Sequence, residues 1–235
     1  MALEKVKKDS DYFRFSELTQ PLGDISVCNF SGWSGLELFK FNLPMGKSIS
    51  NLHISEFRPD VDDKEKIFFT TEGNIKFAYE NLNLELKKFD AVDLSDGKNY
   101  SFEAIEETFL FMVTSKNSQK INEKIKIFNF KKDLEKRDLW GGQIISRPYE
   151  GKELTLVLFE LKSGFKFDDK GHPNHQITWL TSGEMDFYSN GKKDLLNSDK
   201  GISIGPNHLH GGISKGAVGF DAFYPKRIEE KYKAK

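Results

Sequence analysis

The chain has 235 residues with 35 Lys+Arg against 36 Asp+Glu. That balance excludes the strongly basic face expected of a nucleic-acid-binding protein. No run approaches the roughly 18 apolar residues of a membrane span, and the lone Cys28 rules out an intramolecular disulfide. The first eight residues carry no signal-peptide core. A cytoplasmic protein with no nucleic-acid or membrane partner is the expectation.

Residues 1–19 read as an N-terminal extension. Short apolar–polar alternations with period two follow, at Leu36-Glu37-Leu38-Phe39-Lys40-Phe41, Ile67 to Phe77 and Leu82-Asn83-Leu84-Glu85-Leu86. Gly, Asn, Asp and Ser punctuate them, which is the pattern of strands joined by turns. Residues 115–135 look helical or irregular and read as a linker. Strand patterning resumes at Leu154 to Leu161, Ile177 to Phe187 and Ile202 to Gly205. Helices at βαβ spacing are missing, so the sheets should be antiparallel.

The pattern repeats. Ile67 to Phe77 recurs 110 residues later as Ile177 to Phe187, and Val92-Asp93-Leu94-Ser95 recurs at the same offset as Ile202-Ser203-Ile204-Gly205. Phe41 to Gly46 recurs at an offset of 118, as Phe159 to Gly164. The first copy therefore carries eight extra residues between Gly46 and Ile67. Two homologous β lobes are expected, at 20–114 and 136–235.

Four of the five histidines lie in the second lobe, in Gly171-His172-Pro173-Asn174-His175-Gln176 and Pro206-Asn207-His208-Leu209-His210-Gly211. Together with the Gly183-Glu184 turn, these segments resemble the two motifs of the cupin superfamily. The resemblance spans nearly the whole chain as a bicupin. It implies an all-β fold of two tandem jelly-roll barrels, each a double-stranded β-helix. The closing Phe223-Tyr224-Pro225-Lys226-Arg227 is similar to that of isomerase-type bicupins such as the one of bacilysin biosynthesis.

The resemblance implies His172, Gln176 and His210 as ligands of a divalent transition metal, one of Fe, Mn, Ni or Zn. In an extended strand His172, Asn174 and Gln176 share one face and His175 points elsewhere. Where the family has its first histidine stands Lys170, whose ammonium cannot coordinate a cation. Three outcomes stay open: three ligands plus water, recruitment of His175 or His208, or loss of the metal. In the first lobe the 110 offset places Asp62, Lys66 and Tyr100 under the three ligands, a set that builds no transition-metal cage. His53 falls in the eight-residue insertion and reads as a loop residue.

Neutral ligands would leave the ion's charge uncompensated, so a small anionic substrate is expected, with Lys170 and Trp179 as contacts. Phe187, Trp140 and Tyr149 are further candidate walls. His175, His208, Tyr188 and Glu184 are candidates for proton transfer. The leading expectation is a metal-dependent isomerase or lyase working through an enolate. A non-catalytic module binding a sugar or organic acid is the alternative. An Fe(II) dioxygenase is weakened by the lack of an acidic ligand. A monomer or homodimer is expected, because partners tend to cover exposed sheet edges.

Overall fold

The computed structural model describes residues 11–32, 35–59, 64–94, 99–115 and 125–227. The described chain opens with β1 (Asp11–Arg14), helix α1 (Phe15–Leu18), β2 (Thr19–Leu22), β3 (Ile25–Ser31), β4 (Leu36–Leu43), β5 (Ser48–Ser50) and helix α2 (Asn51–Phe57). It continues with β6 (Lys66–Glu72), β7 (Ile75–Tyr79), β8 (Leu82–Leu86), β9 (Asp90–Leu94), β10 (Tyr100–Ala104) and β11 (Thr108–Ser115). Next come β12 (Lys126–Asn129), β13 (Arg137–Leu139), β14 (Ile144–Glu150), β15 (Thr155–Leu161) and β16 (Lys166–Asp169). The last four are β17 (His175–Ser189), β18 (Lys192–Leu196), β19 (Lys200–Ile204) and β20 (His210–Tyr224). No described helix is long and apolar enough to cross a membrane.

The strands form two compact units, both antiparallel jelly-roll barrels. One comprises residues 18–30, 37–59, 64–94, 99–115 and 125–133. Its sheets run β12-β9-β6-β11-β4-β3-β2 and β5-β10-β7-β8. The other comprises residues 11–17, 31–32, 35–36 and 134–227. Its strands run β1-β19-β17-β20-β15-β14-β13, with β16 on β20 and β18 on β17.

The repeat in sequence is a repeat in hydrogen-bond register. Lys66 pairs with Leu94, and Gln176 pairs with Ile204; both partners lie 110 residues further on. The long β17 covers the span that β6 and β7 share in the first barrel. Register shifts between Leu180 and Ser182, and between Gly183 and Met185, bend it, so one strand serves both halves of the barrel. Gly183 permits that bend with φ +77, since a Cβ there would meet the Gly216 carbonyl oxygen at 1.8 Å.

Two short strands depart from expectation. β12, inside the stretch read as linker, pairs with β9 so that Lys126 faces Asp93. β1, inside the stretch read as an extension, pairs with β19 so that Asp11 faces Ser203. Asp93 and Ser203 are again 110 apart, so each barrel gains an edge strand at the same register. Four residues are too few to show a period-two pattern, which is why neither strand was visible in the sequence. His53 also differs: it lies on α2, where Ser50 and His53 form a reciprocal cap.

The interiors explain why the second barrel has a cavity. The first is filled by Phe39, Phe41, Phe68, Phe77 and Phe102 around Tyr100. Phe68 and Phe102 have centroids 4.8 Å apart, and Phe77 and Phe102 5.0 Å. At the repeat offsets Phe68 becomes Thr178, Phe39 becomes Val157 and Tyr100 becomes His210. Smaller and more polar side chains at these positions open space. Lys66, the counterpart of Gln176, is fully buried and donates to the Lys64 carbonyl at 3.0 Å. Asp62 lies outside the described residues.

Candidate metal centre and its cavity

Four donor side chains meet at one end of the second barrel. Asp169 closes β16 directly opposite His210, the first residue of β20. His172 sits in the turn that follows, and Gln176 is the second residue of β17. The ligand atoms of Asp169, His172 and His210 all lie within 4.8 Å of one another, the one such group among the described residues. His172 Nε2 and Gln176 Oε1 are 2.8 Å apart. The two imidazoles meet edge to face, with centroids 5.4 Å apart.

Hydrogen bonding orients these donors. His210 Nδ1 donates to the His208 carbonyl at 2.9 Å, which leaves the lone pair on Nε2, 3.9 Å from Asp169 Oδ2. Fixing the tautomer through the other ring nitrogen is the usual way a ligating histidine is prepared. Gln176 Nε2 donates to Asp221 Oδ1 at 2.9 Å and to Thr178 Oγ1 at 2.7 Å, so its carbonyl oxygen faces His172. His172 Nδ1 is buried with no hydrogen-bond partner.

Both rings are held neutral. Burial, reinforced by the positive charge of Arg227, lowers the His172 pKa from 6.5 to about 4. Burial is also the main cause of the lowered His210 pKa, against the pull of the His208 carbonyl. A neutral imidazole is the form that binds a metal. Two imidazoles, a carboxylate and a carboxamide oxygen suit Fe, Mn, Ni or Zn. In this structure His172 Nε2 donates to the Gln176 carboxamide oxygen at 2.8 Å, a hydrogen bond that an ion shared by the two atoms would replace.

The structure brings His172, Gln176 and His210 together and adds Asp169, which the sequence motifs did not single out. The resemblance had placed Lys170 at the family's first histidine position, beside the ligands. Instead β16 ends at Asp169, and Gly171 adopts φ +93, pressed so close to Asn207 that a Cβ would lie 2.7 Å from its backbone. The alternation breaks there. Asp169 and His172 turn inward and Lys170 is exposed, which corrects its role as a substrate contact. Gly171 was the signal available in the sequence.

Trp179 is corrected as well. It lies on the opposite face of β17 from Gln176 and Thr178, stacked on Phe220 at 5.6 Å. His175 shares that opposite face, with Nε2 2.7 Å from Ser203 Oγ. Its ring sits so tightly against Gly32 that a Cβ there would lie 2.0 Å from Cε1. Tyr188 packs its hydroxyl over Gly211, Glu184 is exposed, and His208 contributes its carbonyl to His210. None of His175, His208, Tyr188, Glu184 or Tyr149 lines the cavity.

That cavity has a volume of about 170 Å³. Val157, Phe159, Phe167, Phe187, Phe223 and Trp140 supply apolar walls, and Asp169, Gln176, Thr178, His210, Asp221 and Arg227 supply the polar groups. Asp221 Oδ1 also accepts from the Thr178 hydroxyl at 2.6 Å.

No family profile matches the chain, and no curated protein sequence does. Solved structures do. A cupin 2 conserved barrel domain protein from Leptotrichia buccalis is 16% identical over 91% of this chain and 96% of that one, with a TM-score of 0.64. Protein YlbA from E. coli is 12% identical over 97% of each chain, with a TM-score of 0.72. The oxalate decarboxylase of Bacillus subtilis, which has Mn(II) centres, is 9% identical over 92% of this chain and 78% of that one, with a TM-score of 0.68. At these identities the likeness establishes the cupin fold.

Proposed function

We propose that the second barrel is a metal-dependent enzyme site for a small anionic metabolite, catalysing isomerisation or elimination through an enolate. The observation that carries this reading is the convergence of Asp169, His172 and His210 beside a largely apolar cavity. With Gln176 these residues would hold a divalent transition ion. Such an ion supplies a Lewis acid that polarises a carbonyl and stabilises developing negative charge.

The chain's own residues account for the proton. Asp221 stands in the cavity wall, and Gln176 and Thr178 fix its carboxylate by bonding one oxygen. It takes the role that sequence reasoning had given to His175, His208 or Tyr188. The apolar walls of Val157, Phe159, Phe187 and Phe223 lower the local dielectric, which strengthens charge interactions beside them. In D2O, Mn(II)- or Zn(II)-loaded protein is expected to exchange the C3 protons, next to the ketone, of at least one member of a 2-oxo acid panel, followed by NMR. Asp221→Asn should slow that exchange by on the order of a hundredfold. Fully metal-loaded protein that exchanges no member of the panel would contradict the reading.

One observation favours a second reading. Two histidines and one carboxylate form the ligand set of non-haem Fe(II) oxygen enzymes, and Asp169 supplies the acidic group that the sequence had seemed to lack. Oxygen uptake by the Fe(II)-loaded protein, coupled to consumption of an added acid, would support it over the enolate reading.

A further inference from the structure

The segment after β20 is tied down across the barrel end by contacts far away in sequence. Asn174 Nδ2 donates to the Pro225 carbonyl at 2.6 Å, and Lys226 Nζ donates to the Gly151 carbonyl at 3.0 Å. The Thr155 hydroxyl donates to the Arg227 carbonyl at 2.8 Å and accepts from the Arg227 amide at 3.0 Å. Thr155 is fully buried, so residue 227 is held at its backbone from both sides. Its guanidinium then lies over the Phe223 ring, 4.7 Å from the centroid, in the same cavity wall as Asp169, Gln176 and His210.

This is a built position for a cation. Cation–π attraction to the ring face holds the guanidinium there. The other polar side chains of the lining are the neutral Ser146, Gln176, Thr178 and His210 and the carboxylates Asp169 and Asp221. Arg227 is the one Lys or Arg of that lining, and Asp221, which takes no part in the donor cluster, opposes a second negative charge on the ligand.

We propose that Arg227 anchors the substrate's carboxylate, and that the substrate class is small monocarboxylic acids with a flat apolar body. The proposal rests on the cavity being the enzyme site described above. A guanidinium pairs with a carboxylate through two parallel hydrogen bonds, which sets orientation as well as affinity. Anchored so, the rest of the molecule lies among Val157, Phe159 and Phe187, with Trp140 at the rim. The volume of about 170 Å³, about six waters at roughly 30 Å³ each, matches the body of a small acid. Asp221 disfavours dicarboxylates.

The probes are benzoate, its neutral isostere benzamide, and the dicarboxylate isophthalate, titrated calorimetrically into the full chain with and without Mn(II). Benzoate is expected to bind at least tenfold tighter than benzamide or isophthalate. Arg227→Met should weaken benzoate at least tenfold and leave benzamide unchanged. Arg227→Lys, which keeps the charge and the backbone ties but loses the fork, should weaken benzoate several-fold, and it carries the test should the Met variant fail to fold. Equal affinities for benzoate and benzamide, no benzoate binding at all, or indifference to both substitutions would overturn the proposal. Arg227-dependent benzoate binding by a protein that takes up no metal would leave the anchor standing and sink the enzyme reading. Metal uptake with Arg227-indifferent binding would do the reverse.

Discussion

His210→Ala and Asp169→Ala are each expected to lower the affinity for Mn(II) or Zn(II) by more than about a hundredfold. The scale follows from the tenfold to hundredfold losses caused by removing a group that merely orients a ligand. A donor that faces the ion directly should cost more. His210 offers a prepared Nε2 because its Nδ1 is committed to the His208 carbonyl, and Asp169 is the negative charge of the group. His172→Ala belongs to the same class. His53→Ala is the control, since that ring caps α2 in the other barrel. Chelator competition measures all four. Near-wild-type affinity in the Asp169 or His210 variant would remove that residue from the centre.

Metal-stripped protein is expected to lose on the order of 4 kcal/mol of unfolding free energy between pH 7 and pH 5. Burial, with the nearby His172 adding to it, lowers the His175 pKa from 6.5 to about 3, and His172 is lowered to about 4. Folding keeps both rings neutral, whereas the unfolded chain takes up their protons below about 6.5. The stability is therefore fully present above that pH and is lost as the pH falls toward the folded values. Each group contributes about 1.4 kcal/mol per pH unit, or about 2 kcal/mol at pH 5. His175→Gln should roughly halve the difference between pH 7 and pH 5, whatever its stability at neutral pH. Urea unfolding at the two pH values reads this directly. A pH-independent wild type would show that these rings are not held neutral.

Much of the fold was legible because its signals are local. Period-two alternation and turn glycines such as Gly73 and Gly183 repeat at a fixed offset, and the barrels repeat with them down to the register of Gln176 against Ile204. β1 and β12 were hidden because four-residue edge strands carry too little pattern. In the site, His172, Gln176 and His210 stood in motifs of recognisable spacing. Asp169 did not, because the resemblance points to Lys170, whereas the backbone turns at Gly171. Asp221 and Arg227 were invisible for a different reason. Asp221 neighbours Thr178 only through the β17–β20 register, and Arg227 reaches the cavity only through ties to Thr155, Asn174 and Gly151.

Anomalous scattering from a crystal of the Mn(II)-loaded protein tests the central claim most directly. One stoichiometric peak is expected in the second barrel, bonded directly to donors on His172, His210 and Asp169. A fully loaded protein with that peak elsewhere, or with no peak among these three residues, would contradict it.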